Sequence, residues 1–167
     1  MTLYTCLLIM LGGAVGTLLR YLISAMISTA PHSLPWATII INILGSFIIG
    51  FFGTLTLANG KFPVSENMRL FVMIGICGGF TTFSSFSLQT YELMRHGYLV
   101  RAGINVIGSV VLCLCAVSLG HVVGAHYNGH AYEVSQLDIE EEASFTNGQL
   151  HHDPSHAIDR KTMSPEA

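Results

Sequence analysis

Charged residues are scarce in this sequence. Asp, Glu, Lys and Arg make up 10% of its 167 residues, whereas soluble domains carry about 25%. Hydrophobic residues make up 51% of the chain, and the mean hydropathy is +0.56. This composition argues against an ordinary water-soluble enzyme. Seven basic residues against ten acidic ones also exclude the strongly basic surface of a nucleic-acid-binding protein, so we expect no nucleic-acid partner.

The few charges are unevenly distributed. Residues 1–126 carry a net charge of +3 and residues 127–167 a net charge of −6. The second part holds the run Glu140–Glu142 and few apolar residues, too few to offset the entropy lost on ordering. We predict a transmembrane domain over 1–126 and a disordered, acidic, His-containing tail over 127–167. His151, His152, Asp153 and His156 could bind a transition metal, but a solvated tail is favoured because no ordered scaffold would fix their geometry.

Long apolar stretches dominate the first part. A helix needs about 20 apolar residues to cross a bilayer, and such stretches occur at about 3–29, 35–58, 69–94 and 99–125. No Lys or Arg precedes the first stretch, so we interpret it as a true span rather than a cleaved signal peptide. Ser65 before Glu66 is a predicted N-cap of the third helix. The sequence therefore predicts an all-α membrane protein with four transmembrane helices.

The predicted spans contain almost no titratable groups. They hold no Asp, and Glu92 lies near the end of the third span. A proton-coupled transporter or a membrane hydrolase places such a group centrally, so we expect no enzyme. A small multidrug exporter, the transporter alternative, needs a buried carboxylate in the first span, which has none. A subunit without transport activity remains an open alternative. All four cysteines fall in the spans and are interpreted as small packing residues.

The basic residues give no preferred orientation in the membrane. Lys61 and Arg69 flank the connection between the second and third spans, and Arg95 and Arg101 flank the next one. These two connections lie on opposite sides of the membrane, so the positive-inside rule gives a tie. A chain without this bias can insert both ways, which makes an antiparallel, dual-topology homodimer a physical hypothesis. A fixed orientation set by cellular factors remains the alternative.

Polar residues inside the spans are the candidates for function, because they are costly to bury in lipid. Arg20 lies in the second half of the first span, Asn42 in the middle of the second, and Asn105 and Ser109 in the fourth. Arg20 either snorkels to the interface or attracts an anion at the mouth of a pathway. Asn42 either joins helices, worth about 1 kcal/mol, or donates hydrogen bonds to a ligand.

Small residues also occur four apart in two spans. Gly12 and Gly16 form such a pair in the first span, and Ser46 and Gly50 form one in the second. This spacing allows helices to approach closely. We therefore expect tight helix packing at both pairs.

The third span has an unusual centre. Gly78 and Gly79 are followed by five Ser or Thr residues within the next eight positions, a poor helix-forming sequence. A break there would free carbonyl oxygens for a small cation. Phe80, Phe83 and Phe86 recur every three residues among the hydroxyls, and ring edges with hydroxyl donors suit an anion. An ordinary helix interface packed by phenyl rings is the alternative.

These motifs resemble the CrcB/Fluc family of small membrane fluoride channels. The resemblance covers about residues 3–125, and its most specific part is Gly78–Phe86. Gly12–Gly16 with Arg20-Tyr21, and Asn42 with Gly45 and Gly50, match the family's first two spans. The resemblance implies an antiparallel, dual-topology homodimer in the bacterial inner membrane. It also implies a third helix broken at Gly-Gly-Phe-Thr-Thr-Phe, two pores, and a structural sodium ion at the dimer centre.

The resemblance also assigns roles by motif position. It implies sodium binding by the carbonyls of Gly78 and Thr81, a fluoride pathway lined by Asn42, Phe83, Phe86, Thr82 and Ser109, and a vestibule role for Arg20. The implied function is passive, fluoride-selective export that lowers cytoplasmic fluoride, with fluoride, membrane lipid and a second copy as partners. Two features depart from the family. Gln89 stands where many members carry glutamate, and the acidic tail lies outside the family pattern.

Overall fold

The computed structural model describes residues 3–27, 30, 33–57 and 61–128. Four helical segments are long and apolar enough to cross a membrane: Leu3–Met26, Trp36–Leu55, Glu66–Arg95 and Leu99–Asn128. The predicted all-α architecture with four apolar spans is confirmed. The third segment begins earlier and the fourth ends later than predicted. Except for Tyr127 and Asn128, the predicted tail lies outside the described residues.

The third span is made of several helical pieces, whereas each of the other spans is one helix. The elements are α1 (Leu3–Met26), α2 (Trp36–Leu55), α3 (Glu66–Leu70), a π-helix (Phe71–Cys77), α4 (Gly78–Phe80), α5 (Phe83–Arg95) and α6 (Leu99–Asn128). A π-helix has wider turns than an α-helix and occurs often at functional sites. No pattern in the sequence indicated it.

Local signals fix both ends of the third span. The side chain of Ser65 accepts a hydrogen bond from the Met68 backbone N–H at 3.3 Å, so the predicted N-cap is confirmed. Gly97 follows α5 with a φ of +83°, a conformation that favours glycine. The Gly97 N–H donates to the Met94 carbonyl and the Tyr98 N–H to the Leu93 carbonyl, which is the Schellman pattern of a helix end.

Glycines let α1 pack directly on the backbone of the third span. A Cβ added to Gly12 would lie 2.6 Å from the Phe71 carbonyl oxygen, and one on Gly16 would lie 2.8 Å from the Phe80 nitrogen. Later residues of α1 thus meet later residues of the third span, so the two run parallel. The close packing predicted for Gly12 and Gly16 is confirmed.

The pair formed by α2 and α6 is built in the same way. A Cβ on Gly124 would lie 2.8 Å from the Phe51 carbonyl oxygen, and one on Gly120 would lie 2.8 Å from the Phe51 nitrogen. A Cβ on Gly50 would meet the Val117 carbonyl, as the small-residue pair in α2 predicted. These contacts make α2 and α6 parallel neighbours.

The pair formed by α1 and the third span packs against the pair formed by α2 and α6. In this contact α2 runs antiparallel to the third span. Gly45 faces Thr81, and a Cβ on Gly53 would lie 3.2 Å from the Met73 side chain. The interior of the four-span bundle is rich in polar residues, including buried Thr82, Thr90 and Asn105. Most of its large apolar side chains are exposed. This distribution suits a protein whose outer surface faces lipid or another apolar surface.

Candidate functional site

A cavity of about 390 Å³ lies between α2, the centre of the third span and α6. Seven of the eight predicted site residues line it: Asn42, Gly78, Thr81, Thr82, Phe83, Phe86 and Ser109. None of the described residues that line it is Asp or Glu. The fold therefore brings residues from three spans to one place, although they are far apart in the sequence.

The backbone at the cavity is extended over two residues. Thr81 has φ −75° and ψ 158°, and Thr82 has φ −151° and ψ 108°. They lie between the last residue of α4, Phe80, and the first residue of α5, Phe83. Backbone that leaves the helical conformation inside a membrane protein needs other hydrogen-bond partners, and the structure supplies them.

Asn42 provides these partners from α2. Its side-chain oxygen accepts the Thr82 N–H at 2.8 Å, and its amide nitrogen donates to the Thr82 carbonyl at 3.2 Å. The amide thus bonds both backbone groups of one extended residue. A second N–H remains on the Asn42 nitrogen for another acceptor, because a carboxamide has two.

Two carbonyls of the third span lose their usual helical donors. In a continuous α-helix the Thr82 N–H would bond the Gly78 carbonyl and the Ser85 N–H would bond the Thr81 carbonyl. The Thr82 N–H instead donates to Asn42, and the Ser85 N–H donates to the Thr82 hydroxyl at 3.2 Å. Gly78 and Thr81 are therefore two residues whose carbonyls lose their helical donors to other acceptors.

The hydroxyl groups of this segment make local bonds. The Thr82 hydroxyl, which caps α5, donates to the Ser85 hydroxyl at 2.9 Å. The Thr81 hydroxyl donates to the Cys77 carbonyl at 2.9 Å. With Thr82 at its cap, α5 directs its N-terminus toward the cavity, and the partial positive charge of that helix end favours an anion.

The phenylalanines of the motif separate into two groups. Phe83 and Phe86 line the cavity, with ring centroids 5.5 Å apart and an interplanar angle of 43°. Phe80, in contrast, is buried and has only 6% of its surface exposed. The spacing of three residues therefore does not place all three rings on one surface. Phe83 is 78% exposed, so its ring also forms part of the outer surface.

A buried chain of hydrogen bonds supports the α6 side of the cavity. The Ser109 hydroxyl donates to the Asn105 side-chain oxygen at 3.4 Å, and the Asn105 amide donates to the Thr90 hydroxyl at 2.8 Å. The Thr90 hydroxyl donates in turn to the Phe86 carbonyl at 2.7 Å. Sequence reasoning missed Thr90. Its position one turn after Phe86, on the same helix face, was the available signal.

Two other residues singled out in the sequence lie elsewhere. Arg20 is half-buried and does not line the cavity; it follows Gly16 by about one turn of α1. The side-chain oxygen of Gln89 is buried and has no hydrogen-bond partner within the described part of the chain.

Four apolar spans around a cavity lined by Asn42, several hydroxyl groups and two phenyl rings are the arrangement expected of a small membrane channel or transporter. Over residues 7–121 the chain matches the family described as CrcB-like protein, Camphor Resistance (CrcB). The chain belongs to this family and is a multi-pass bacterial membrane protein.

Close relatives align with this chain over nearly their full lengths. A protein of Methylobacterium radiotolerans is 64% identical over 142 residues, covering 85% of this chain and 99% of the relative. One from Gluconobacter oxydans is 58% identical, covering 86% and 100%, and one from Methylocella silvestris is 56% identical, covering 72% and 92%. Each is named "Fluoride-specific ion channel FluC".

Proposed function

We propose that this protein is a fluoride-selective channel that lets fluoride leave the cell passively across the inner membrane and so lowers its cytoplasmic concentration. The relatives' name supplies the ion. The observation that carries the proposal is the cavity. Asn42, Thr82, Phe83, Phe86 and Ser109 meet there, and no carboxylate lines it within the described part of the chain. A multidrug exporter would need a carboxylate to hold its cationic substrate.

The chemistry of the cavity suits a small anion that must lose water. Fluoride enters a narrow path only if fixed donors replace its hydration shell. The second amide N–H of Asn42 is such a donor. The hydroxyls of Thr82 and Ser109 donate to Ser85 and Asn105 in the structure, and each would rotate toward the ion in order to donate to it. The edges of Phe83 and Phe86 carry partial positive charge. Arg20 would raise the local anion concentration at the vestibule.

The working unit in this proposal is an antiparallel homodimer of dual topology. Arg69 lies near the start of the third span and Arg95 at its end, so basic residues occur at both ends of the unit. The exposed Phe83 ring and other apolar side chains along the third span give a second copy a surface to cover. Such a dimer would hold two equivalent pathways.

We further propose a structural sodium ion at the centre of this dimer. The carbonyls of Gly78 and Thr81 would hold it together with the same groups of the second copy, because their helical donors are engaged elsewhere. A Cβ built on Gly78 meets no atom within 4 Å, so the glycine leaves room for close approach. The interrupted helix would serve to expose these oxygens. Bound sodium would supply a fixed positive charge and a rigid link between copies.

Fluoride release from liposomes tests this proposal. Vesicles that contain the purified protein and fluoride would be followed with a fluoride electrode, with potassium and valinomycin setting the voltage. We expect rapid fluoride release and no chloride release from matched chloride-loaded vesicles. Vesicles that retain fluoride in the presence of sodium would contradict the proposal, and so would equal release of both anions.

A further inference from the structure

Ser46 lines the cavity but has no role in the proposed function. The sequence interpretation gives it only the role of a small residue that lets α2 pack closely. Among the described residues, three other side chains with a hydroxyl group line the same cavity: Thr81, Thr82 and Ser109. The four hydroxyl groups differ in whether their hydrogen is already engaged in a hydrogen bond within the protein.

The hydroxyl groups of the other three residues already donate within the protein. Thr81 donates to a backbone carbonyl at 2.9 Å, and Thr82 donates to a neighbouring serine hydroxyl at 2.9 Å. Ser109 donates to the side-chain oxygen of Asn105 at 3.4 Å. A hydroxyl group has one hydrogen, so each of these residues can donate to an ion only after its present hydrogen bond breaks.

The Ser46 hydroxyl, in contrast, makes no hydrogen bond to another described residue. A serine or threonine inside a helix can donate to the carbonyl four residues earlier. Thr54 and Thr90 make that bond, at 2.8 Å and 2.7 Å. Ser46 does not make it to the carbonyl of Asn42, so the hydrogen of the Ser46 hydroxyl is available to a ligand in the cavity.

Ser46 and Asn42 are neighbours on one face of α2. Residues four apart in a helix have Cβ atoms about 5–6 Å apart, and their side chains point back toward the helix N-terminus. The Ser46 side chain therefore extends toward the turn that carries Asn42. Asn42 keeps one N–H beyond the one that it donates to the Thr82 carbonyl. Both side chains line the cavity, so one hydroxyl and one amide N–H are available within a single helical turn.

Two neutral donors that lie close together suit a small anion. Fixed donors replace the water that such an ion loses in a narrow path, and a donor that is not engaged elsewhere has no bond to break first. The described lining residues carry no negative charge, so nothing in that part of the wall repels an anion. We propose that the Ser46 hydroxyl and the second amide N–H of Asn42 form a two-donor subsite for the fluoride ion. This inference rests on the proposed function and adds Ser46 to the ion pathway.

Ser46→Ala tests the subsite, because alanine removes the hydroxyl and keeps the small size that helix packing needs. We expect fluoride release from liposomes to fall about tenfold, the loss expected for one hydrogen bond to an anion. The temperature of thermal unfolding in detergent should stay the same or rise, since no hydrogen bond to a described residue is lost and alanine favours a helix. Ser46→Thr keeps a hydroxyl, and the cavity of about 390 Å³ has room for the added methyl group, so this variant should retain most of the release.

Ser118→Ala is the matched control, because it removes the same group from an exposed site outside the cavity. Its fluoride release should equal that of the original protein. Undiminished release from Ser46→Ala would overturn the subsite and leave Ser46 as a packing residue. Equal loss of release in Ser46→Thr, or a lower unfolding temperature for Ser46→Ala, would overturn it as well. Liposomes of the original protein that release no fluoride would instead contradict the proposed function, and the subsite with it.

Discussion

Asn42 illustrates how one side chain couples the backbone to the cavity. Its amide bonds both the N–H and the carbonyl of Thr82, and its nitrogen keeps one more N–H. The residue was predicted from the sequence as a donor to an ion. Its bond to the backbone was not predictable, because it depends on the register between α2 and the third span. The structural bond and the proposed ion contact use different hydrogen atoms of the same amide.

Replacing Asn42 with alanine should abolish fluoride release. The change removes the proposed donor and leaves two backbone groups of Thr82 without their partner, which costs about 1–3 kcal/mol for each buried unsatisfied group. Fluoride release from liposomes and thermal unfolding in detergent measure the two effects.

Asn128→Ala is the matched control. Asn128 also bonds two backbone groups, the Lys61 N–H and the Thr54 carbonyl, but it does not line the cavity. We expect a comparable loss of thermal stability with fluoride release per folded protein retained. Equal loss of release in both variants would show that Asn42 acts through stability alone.

Asn105→Ala should destabilise the contact between α5 and α6. Asn105 is fully buried, and alanine would leave a void and remove its bonds to Thr90 and Ser109. We expect a loss of about 2–3 kcal/mol in the free energy of unfolding. Unfolding followed by circular dichroism in detergent measures it. Ser118→Ala, at an exposed site on the same helix, should be neutral, and an equal loss there would contradict a role for the buried bonds.

At the scale of elements, the positions of the glycines determine which helices pack with their backbones in contact. The sequence predicted the four spans, the Ser65 cap and the close packing at Gly12 and Gly16 because each depends on local pattern. The π-helix, Phe71–Cys77, depends on how the third span fits its neighbours. That segment is apolar on every side, so no periodicity marks the wider turn.

Gly16→Ala should separate α1 from the third span. The added methyl group would collide with the Ile76 carbonyl and lie 2.8 Å from the Phe80 nitrogen, and neither backbone atom can move independently of its helix. Overpacking of this kind costs about 1–3 kcal/mol. We expect lower thermal stability and a lower yield of folded protein from gel filtration.

Gly13→Ala provides the contrast within the same helix. A Cβ there meets no atom within 4 Å, and alanine favours the helix over glycine by up to about 1 kcal/mol. The variant should be as stable as the original protein or more so. If Gly13→Ala is as damaging as Gly16→Ala, close packing is not the cause.

At the scale of the whole molecule, the balance of basic residues predicts insertion in both orientations. The test uses a chain with its four cysteines replaced and one reporter, either Phe62→Cys or His96→Cys. Both sites are exposed and lie at opposite ends of the third span. In sealed vesicles of one orientation, a membrane-impermeant maleimide should label about half of each protein. Near-complete labelling of one reporter and none of the other would demonstrate a fixed orientation.

In the proposed function, fluoride crosses the membrane through the cavity lined by Asn42, Phe83 and Phe86. The most direct measurement compares fluoride release from liposomes containing Phe83→Ile, Phe86→Ile or Phe62→Ile. Phe62 is an exposed phenyl outside the cavity, and isoleucine keeps the hydrophobicity while removing the ring edge. We expect release to be lost in the two cavity variants and retained in Phe62→Ile. Undiminished release from both cavity variants would contradict the claim.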